Sequence, residues 1–334
     1  MPTMKAALVT RYGPPANVHI GEIERPVPRA EEILIRVHAT TVSAADWRIR
    51  SAVVPRGFGI LLRLLYGVRG PRRPVLGTEL SGVVDTVGAD VHRFRPGDQV
   101  VAFRGIRMGA HAEYVVMPED GKVLQIPAGI SMAEASAICF GGLTALRFLR
   151  DNARVQVGEK VLIVGAAGSV GSAAVELAKH FGAEVTGVCS AGNLEFVRSL
   201  GADHVIDYRA QDFTQNGRRY DVIMDCMGTA PFRRSKTSLA PGGRLLLVVA
   251  TLGETLAALV QSRGGVRVMA GGAPERREDM VTLANLCARG AYSPRIGATF
   301  PFEQIAEAHA LVEGRHKRGN VVVLLAPTIA DRSS

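Results

Sequence analysis

Residues 161–179, VLIVGAAGSVGSAAVELAK, constrain the fold of this chain more than any other stretch. A run of β-branched and apolar residues stops at a turn of small residues, and an amphipathic helical pattern follows at once. Ala166, Gly168 and Gly171 stand in a GxGxxG frame with alanine first, and Ala167, Ser169 and Val170 fill its gaps. Small residues let the backbone approach a pyrophosphate, whose charge is met by the free N–H groups and dipole of the helix start. Gly171 lets strand and helix pack closely. The next strand runs to Ser190, nineteen residues beyond Gly171, and its tip reads CSAGN. A carboxylate at that tip accepts hydrogen bonds from the ribose of NAD. None stands here, so Ser190 and Asn193 are expected to donate to the 2′-phosphate of NADP, although both residue types also cap helices. Tyr208 is expected either to pack on the adenosine or to be an ordinary half-exposed tyrosine.

Around this motif the chain divides into two patterns. Residues 5–125 hold short β-rich runs (KAALV, EEILIRVHAT, LSGVVDTVG, DQVVAF, AEYVVM) broken by Gly and Pro, which predicts a compact β domain. From about residue 143 to 270, strand-like and helix-like segments alternate, the mark of βαβ units and a parallel sheet. Its later strands are DVIMDC, RLLLVVA and VRVMA, with a crossing helix expected from Pro231 to Leu239. Helices are expected over residues 276–289 and 302–312, then a last strand, NVVVLL.

Composition narrows the function classes. The chain has 334 residues, 47% hydrophobic and 21% charged, with a net charge of +9, values of a folded two-domain protein. Much of the basic excess is local. Arg48, Arg50, Arg56, Arg63, Arg69, Arg72 and Arg73 fall in a stretch with no acidic residue between Asp46 and Glu79. No nucleic-acid-binding motif accompanies the charge, so a nucleic-acid partner is not expected. Cys139, Cys189, Cys226 and Cys287 are far apart and form no CxxC pair, which fits reduced thiols. No apolar run is long enough to span a bilayer and no secretion signal is evident. A cytoplasmic enzyme is expected, with little membrane contact.

Taken together, GTELSGVV and VGADVHRFRPGDQV in residues 77–100, then GAHAEYVV, GGLTAL, GAAGSVG, LGADHVIDY, FPFEQIAEAHALVEG and RGNVVVLL, resemble the medium-chain dehydrogenase/reductase superfamily. Within it the chain is similar to the zinc-independent quinone oxidoreductase and NADP-dependent alcohol dehydrogenase-like branch. The resemblance implies an α/β fold: a Rossmann doubly wound parallel sheet, with a GroES-like β-rich catalytic domain built from both termini. The expected boundaries are 1–127 and 271–334 for the catalytic domain and 128–270 for the Rossmann NADP-binding domain. It also implies homodimers paired through the edge strand near VRVMA. By position, Ser43 stands where the family usually has Asn in the nicotinamide loop, Thr144 at its threonine beside the nicotinamide, and Ser169 with Val170 at the pyrophosphate. Ser190 and Tyr208 match contacts to the 2′-phosphate end, whereas Asn193 replaces a frequent lysine. Val249 and Ala250 match the loop past the fifth strand, and Asn320 lies in the closing glycine-led motif.

Zinc alcohol dehydrogenases of the superfamily place Cys, His and Cys where this chain has Ser43, Thr78 and Phe140, with Cys139 one position off. Neutral hydroxyls are poor zinc ligands beside thiolate or imidazole, so no metal is expected. Without that Lewis acid, chemistry should move toward acceptors with their own charge sink, a quinone or an α,β-unsaturated carbonyl. Asp46, Trp47, Tyr66 and His111 are the candidate substrate-side residues. Asp46 could equally brace its loop, Trp47 belong to the core and His111 lie on the surface, and no catalytic residue is assigned. Residues 56–73, RGFGILLRLLYGVRGPRR, read as a substrate lid, a packed helix with solvated arginines, or an interfacial helix. Alternatives to a quinone or enone reductase are a zinc-free carbonyl or alcohol oxidoreductase and a catalytically silent NADPH-binding sensor.

Overall fold

A computed structural model describes residues 2–261, 265–271 and 275–325. Six strands form a wholly parallel sheet in the order His204–Asp207, Glu184–Cys189, Lys160–Val164, Tyr220–Asp225, Leu239–Leu247, Arg267–Ala270. The order reverses between Lys160–Val164 and Tyr220–Asp225, the switch point at which a doubly wound sheet opens its crevice. The turn of residues 165–168 follows the first of these strands directly. Val161, Leu162 and Ile163 are fully buried, which explains an unbroken apolar run where a half-exposed strand would alternate.

A second sheet has seven strands. Its path runs Ile296–Pro301, Asn320–Leu324, Glu32–Val42, Glu79–Val87, Gln99–Phe103, Val123–Gln125, and Tyr114–Pro118 also pairs with Glu32–Val42. The tail returns to the N-terminal half, with Val321 opposite Val42 and Val323 opposite Thr40. Thr3–Val9 and Val18–Glu24 make a separate antiparallel ribbon. The α/β class and the division into a parallel sheet and a β-rich sheet are as expected. Val18–Glu24, Val123–Gln125 and Ile296–Pro301 are not among the strands expected from the sequence: Gly21, Glu22 and Glu24 break the pattern of the first, the second is only three residues long, and the third has a single large apolar residue between Gly297 and Pro301.

The crossing helix expected from Pro231 to Leu239 is only one turn, Phe232–Ser235, followed by a 3-10 turn. Leu239 already belongs to the next strand. Ser235 and Ser238 are buried, and the Ser235 hydroxyl bonds back to the Ala230 carbonyl at 2.9 Å, a local competitor that shortens helices. The later helices, Arg277–Ala288 and Ile305–Glu313, fall where expected.

Candidate functional site

The site begins at the strand–turn–helix. Gly165 has φ +81° and turns the chain out of the sheet, and the helix Ser169–His180 starts behind Gly168 without a side-chain cap. The first N–H groups of that helix are therefore left for a ligand. A Cβ on Gly171 would lie 2.1 Å from the Gly165 carbonyl oxygen, so glycine is required there. A Cβ on Gly168 would meet only that oxygen, at 3.7 Å, so the space over the loop is open. Ala166 and Ala167 are buried beneath the turn. This open cradle of small residues fits the pyrophosphate of a dinucleotide.

Residues 317–320 lie across the loop, which sequence reasoning missed apart from Asn320. Gly319 pairs with Gly168 as an isolated parallel bridge, and its N–H donates to the Ala167 carbonyl at 2.8 Å. The Lys317 ammonium donates to the Ser169 hydroxyl at 2.5 Å and the Gly319 carbonyl at 2.6 Å. Burial holds its pKa down to about 8, against the opposing pull of Glu79. Arg318 reaches the second-strand tip. The only sequence signal for this strap was two basic residues before a glycine, a pattern common on surfaces. Asn320 is buried and its amide donates to the Arg295 carbonyl at 3.1 Å, so it braces the strap.

At that tip Ser190 and Asn193 make no side-chain cap bond. The Asn193 amide instead donates to the Ser190 hydroxyl at 3.2 Å. Tyr208 is half exposed, with the Arg209 guanidinium 5.8 Å from its ring centre. Val249 and Ala250 are half-buried just past Leu239–Leu247, and Val249 packs beside Gly228.

The opposite wall is built from the β-rich sheet. Ser43 caps the helix Ala44–Ser51 in a capping box with Asp46, and its hydroxyl donates to Asp46 at 2.6 Å. Asp46 also accepts the Gly77 N–H at 2.8 Å and is fully buried, so it is a brace. Trp47 is buried in the core, with Arg315 4.8 Å from its ring centre. His111 is buried, against the alternative reading of a surface residue, with Nε2 2.9 Å from the Thr41 carbonyl and its ring edge-on to His309. A positive φ at Gly77 lets its backbone press against His111. Tyr66 remains accessible, donating to the Ile106 carbonyl at 3.0 Å. Burial and then Asp46 raise its pKa, so it stays a donor.

Glu79, which sequence reasoning passed over, ties the two walls together. Its carboxyl accepts from the Thr41 hydroxyl at 2.7 Å and from the N–H groups of Cys139 and Phe140 at 2.9 and 2.7 Å. Those two N–H groups open the helix Cys139–Leu146, which carries Thr144. Complete burial lifts the Glu79 pKa to about 7. The Thr144 hydroxyl donates to the Phe140 carbonyl at 2.9 Å. A Cβ on Gly141 would lie 2.5 Å from the Ser169 carbonyl oxygen, so this helix presses against the phosphate loop. At the positions of zinc ligands in related enzymes, Ser43 is committed to Asp46 and the Thr78 hydroxyl is buried with no hydrogen-bond partner among the described residues. Among the described residues no group of three or more His, Cys, Asp or Glu is placed to hold a metal.

The family model for an alcohol dehydrogenase GroES-like domain matches residues 29–128, and one described as zinc-binding dehydrogenase matches residues 200–323. Quinone-oxidoreductase QR1, chloroplastic, of Triphysaria versicolor is 30% identical, covering 96% of this chain and 98% of its own length. This chain belongs to the medium-chain dehydrogenase/reductase superfamily, in its quinone oxidoreductase branch. Among solved structures, the quinone oxidoreductase from Coxiella burnetii superposes with a TM-score of 0.85 at 28% identity, covering 97% of this chain and 100% of that one. A mycobacterial protein solved with NADPH superposes with a TM-score of 0.79 at 26% identity, covering 96% and 100%. The quinone oxidoreductase fold here thus serves an NAD(P)H-dependent oxidoreductase acting on a small molecule.

Proposed function

We propose that the protein is a zinc-independent, NADPH-dependent reductase that transfers a hydride to a quinone or to the activated double bond of an α,β-unsaturated carbonyl. The observation that carries this reading is the donor set at Ser43, Thr78 and Phe140. The hydroxyl of Ser43 is closed onto Asp46, the hydroxyl of Thr78 is buried just before the strand Glu79–Val87, and the side chain of Phe140 carries no ligand atom, so these three positions supply no metal site to polarise a simple carbonyl. An acceptor that spreads the incoming charge through its own conjugation needs none.

When bound, the cofactor supplies the hydride, and this chain's residues position it. The helix N–H groups at Ser169 and Val170, with Lys317, would hold the pyrophosphate. Ser190, Asn193 and Tyr208 would face the adenosine end, and a tip without a carboxylate supports NADP over NAD. Ser43, Thr144, Val249 and Ala250 would flank the nicotinamide. Asp46 and Trp47 act behind this wall as brace and core, and no residue of the chain is assigned as proton donor.

Gly59–Tyr66 supports the lid reading of the basic apolar stretch. Only Leu62 of this helix is buried, while Ile60, Leu61, Leu64 and Leu65 stay exposed. Leu62, with the half-buried Tyr66, is little apolar contact for a docked helix, which weighs against the packed-helix reading. The stretch also meets the far side of the crevice, where the Leu252 N–H donates to the Arg56 carbonyl at 2.9 Å. An apolar lid suits a bulky apolar acceptor. The four cysteines are free, which supports a reducing, cytoplasmic setting. No helix of the described residues is long and apolar enough to cross a membrane.

The test is oxidation of NADPH and NADH against quinones, enones and simple aldehydes, with and without a zinc chelator. Turnover of quinones or enones that prefers NADPH and survives chelation is the expected result. Chelator-sensitive aldehyde or alcohol turnover would overturn the zinc-free assignment, and cofactor binding without turnover would replace the enzyme with a sensor.

A further inference from the structure

Arg318 comes from the C-terminal segment, far in sequence from the strands of the parallel sheet. Its guanidinium nonetheless sits on the second-strand tip, with Nε 2.6 Å from the Asn193 side-chain oxygen and Nη2 2.5 Å from the Gly192 carbonyl. Asn193 in turn donates to the Ser190 hydroxyl. A cation thus stands in one hydrogen-bonded chain with Asn193 and Ser190, the two residues proposed above for the adenosine end.

Both acceptors of Arg318 are neutral, and among the described residues no carboxylate is paired with it. Asp207 ends the neighbouring strand, but its carboxylate accepts the Arg209 N–H at 3.1 Å. A Cβ added at Gly192 would meet nothing within 4 Å, so the space above the tip is open. A guanidinium held by neutral acceptors has no carboxylate to offset it, and with Nε and Nη2 engaged on Asn193 and Gly192 its Nη1–Nη2 edge is left to meet phosphate oxygens. The position is not accidental, because the Gly319 N–H bond to Ala167 and the Lys317 bond to Ser169 fix the adjacent residues on the phosphate loop.

We propose that Arg318 reads the 2′-phosphate of NADP, so that the choice of cofactor is set by the C-terminal strap rather than by the second-strand tip alone. The inference rests on the NADP reading above and names the group that enforces it. NAD offers only ribose hydroxyls at this point, which Ser190 and Asn193 satisfy without Arg318.

The test measures dissociation constants of NADPH and NADH from the fluorescence of the reduced nicotinamide, for the natural protein, Arg318→Ala and Arg318→Lys. Inhibition by 2′-AMP and 5′-AMP is measured alongside. Arg318→Ala should weaken NADPH and 2′-AMP about tenfold or more while leaving NADH and 5′-AMP within about twofold, and Arg318→Lys should recover part of the loss. If the natural protein prefers NADPH and Arg318→Ala keeps the same ratio, this inference falls and the NADP reading stands. Equal weakening of both cofactors would make the contact to residues 192–193 merely structural and overturn the proposal. If the natural protein shows no preference for NADPH, the NADP reading itself falls, and the role of Arg318 with it. Melting temperatures of the variants, expected to be unchanged for an exposed side chain, separate these outcomes from misfolding.

Discussion

At Gly171 a hydrogen is the largest side chain the backbone permits. Gly171→Ala would set a methyl 2.1 Å from the Gly165 carbonyl oxygen, and overpacking of this kind costs about 2 kcal/mol or more. A lower melting temperature and loss of NADPH binding are expected, by differential scanning fluorimetry and titration. Lys317 gives a pH signature. Its pKa in the free protein is held down to about 8, and phosphate binding favours the ammonium, so binding takes up a proton above that pH. NADPH affinity should fall as pH rises through about 8, and Lys317→Met should bind about tenfold more weakly with a flat profile. A wild-type profile flat from neutral to alkaline pH would remove Lys317 from the phosphate site.

Two elements carry their own tests. The helix Cys139–Leu146 is anchored by the buried Glu79, whose folded pKa of about 7 stands above its ordinary 4.5. A raised carboxyl binds its proton more tightly when folded, so this contribution is complete below about pH 4.5 and is lost as pH rises through about 7. Glu79→Gln should flatten that part of the melting-temperature profile, measured by thermal unfolding across pH 4–8. The helix Gly59–Tyr66, proposed above as a lid, calls for a kinetic test. Leu64 and Leu65 are 64% and 63% exposed, so Leu64→Asp with Leu65→Asp should change stability by less than about 0.5 kcal/mol for each site. The kcat/KM for a bulky apolar quinone should nevertheless fall about tenfold with NADPH affinity intact; unchanged kinetics would remove the lid from the substrate site.

For the whole molecule, Arg267–Ala270 forms an open edge of the parallel sheet. An unprotected edge pairs readily with a second copy, and a homodimer is the proposed assembly. Sedimentation should give twice the 35.6 kDa chain mass, and a monomer at micromolar concentration would remove the edge-pairing model. The two sheets meet where the strap of residues 317–320 crosses the phosphate loop, and cofactor binding there should raise the melting temperature with the logarithm of free cofactor concentration once that exceeds Kd.

The sequence by itself determined the parallel sheet, its phosphate loop and the division into two patterns. These depend on local order: an apolar run, a small-residue turn and a helical period lie within nineteen residues, and the need for glycine at 171 follows from that turn alone. It also placed Ser190 and Asn193 at a tip without a carboxylate. Only the tertiary structure decided what long-range pairing brings together. Lys317 and Arg318 stand beside Ser169 and Asn193 because Asn320–Leu324 joins the β-rich sheet while Gly319 bridges to Gly168. Glu79 became an anchor, His111 a buried residue and Asp46 a brace for the same reason. A side chain's burial and partners depend on contacts tens to hundreds of residues away, and no local pattern encodes them.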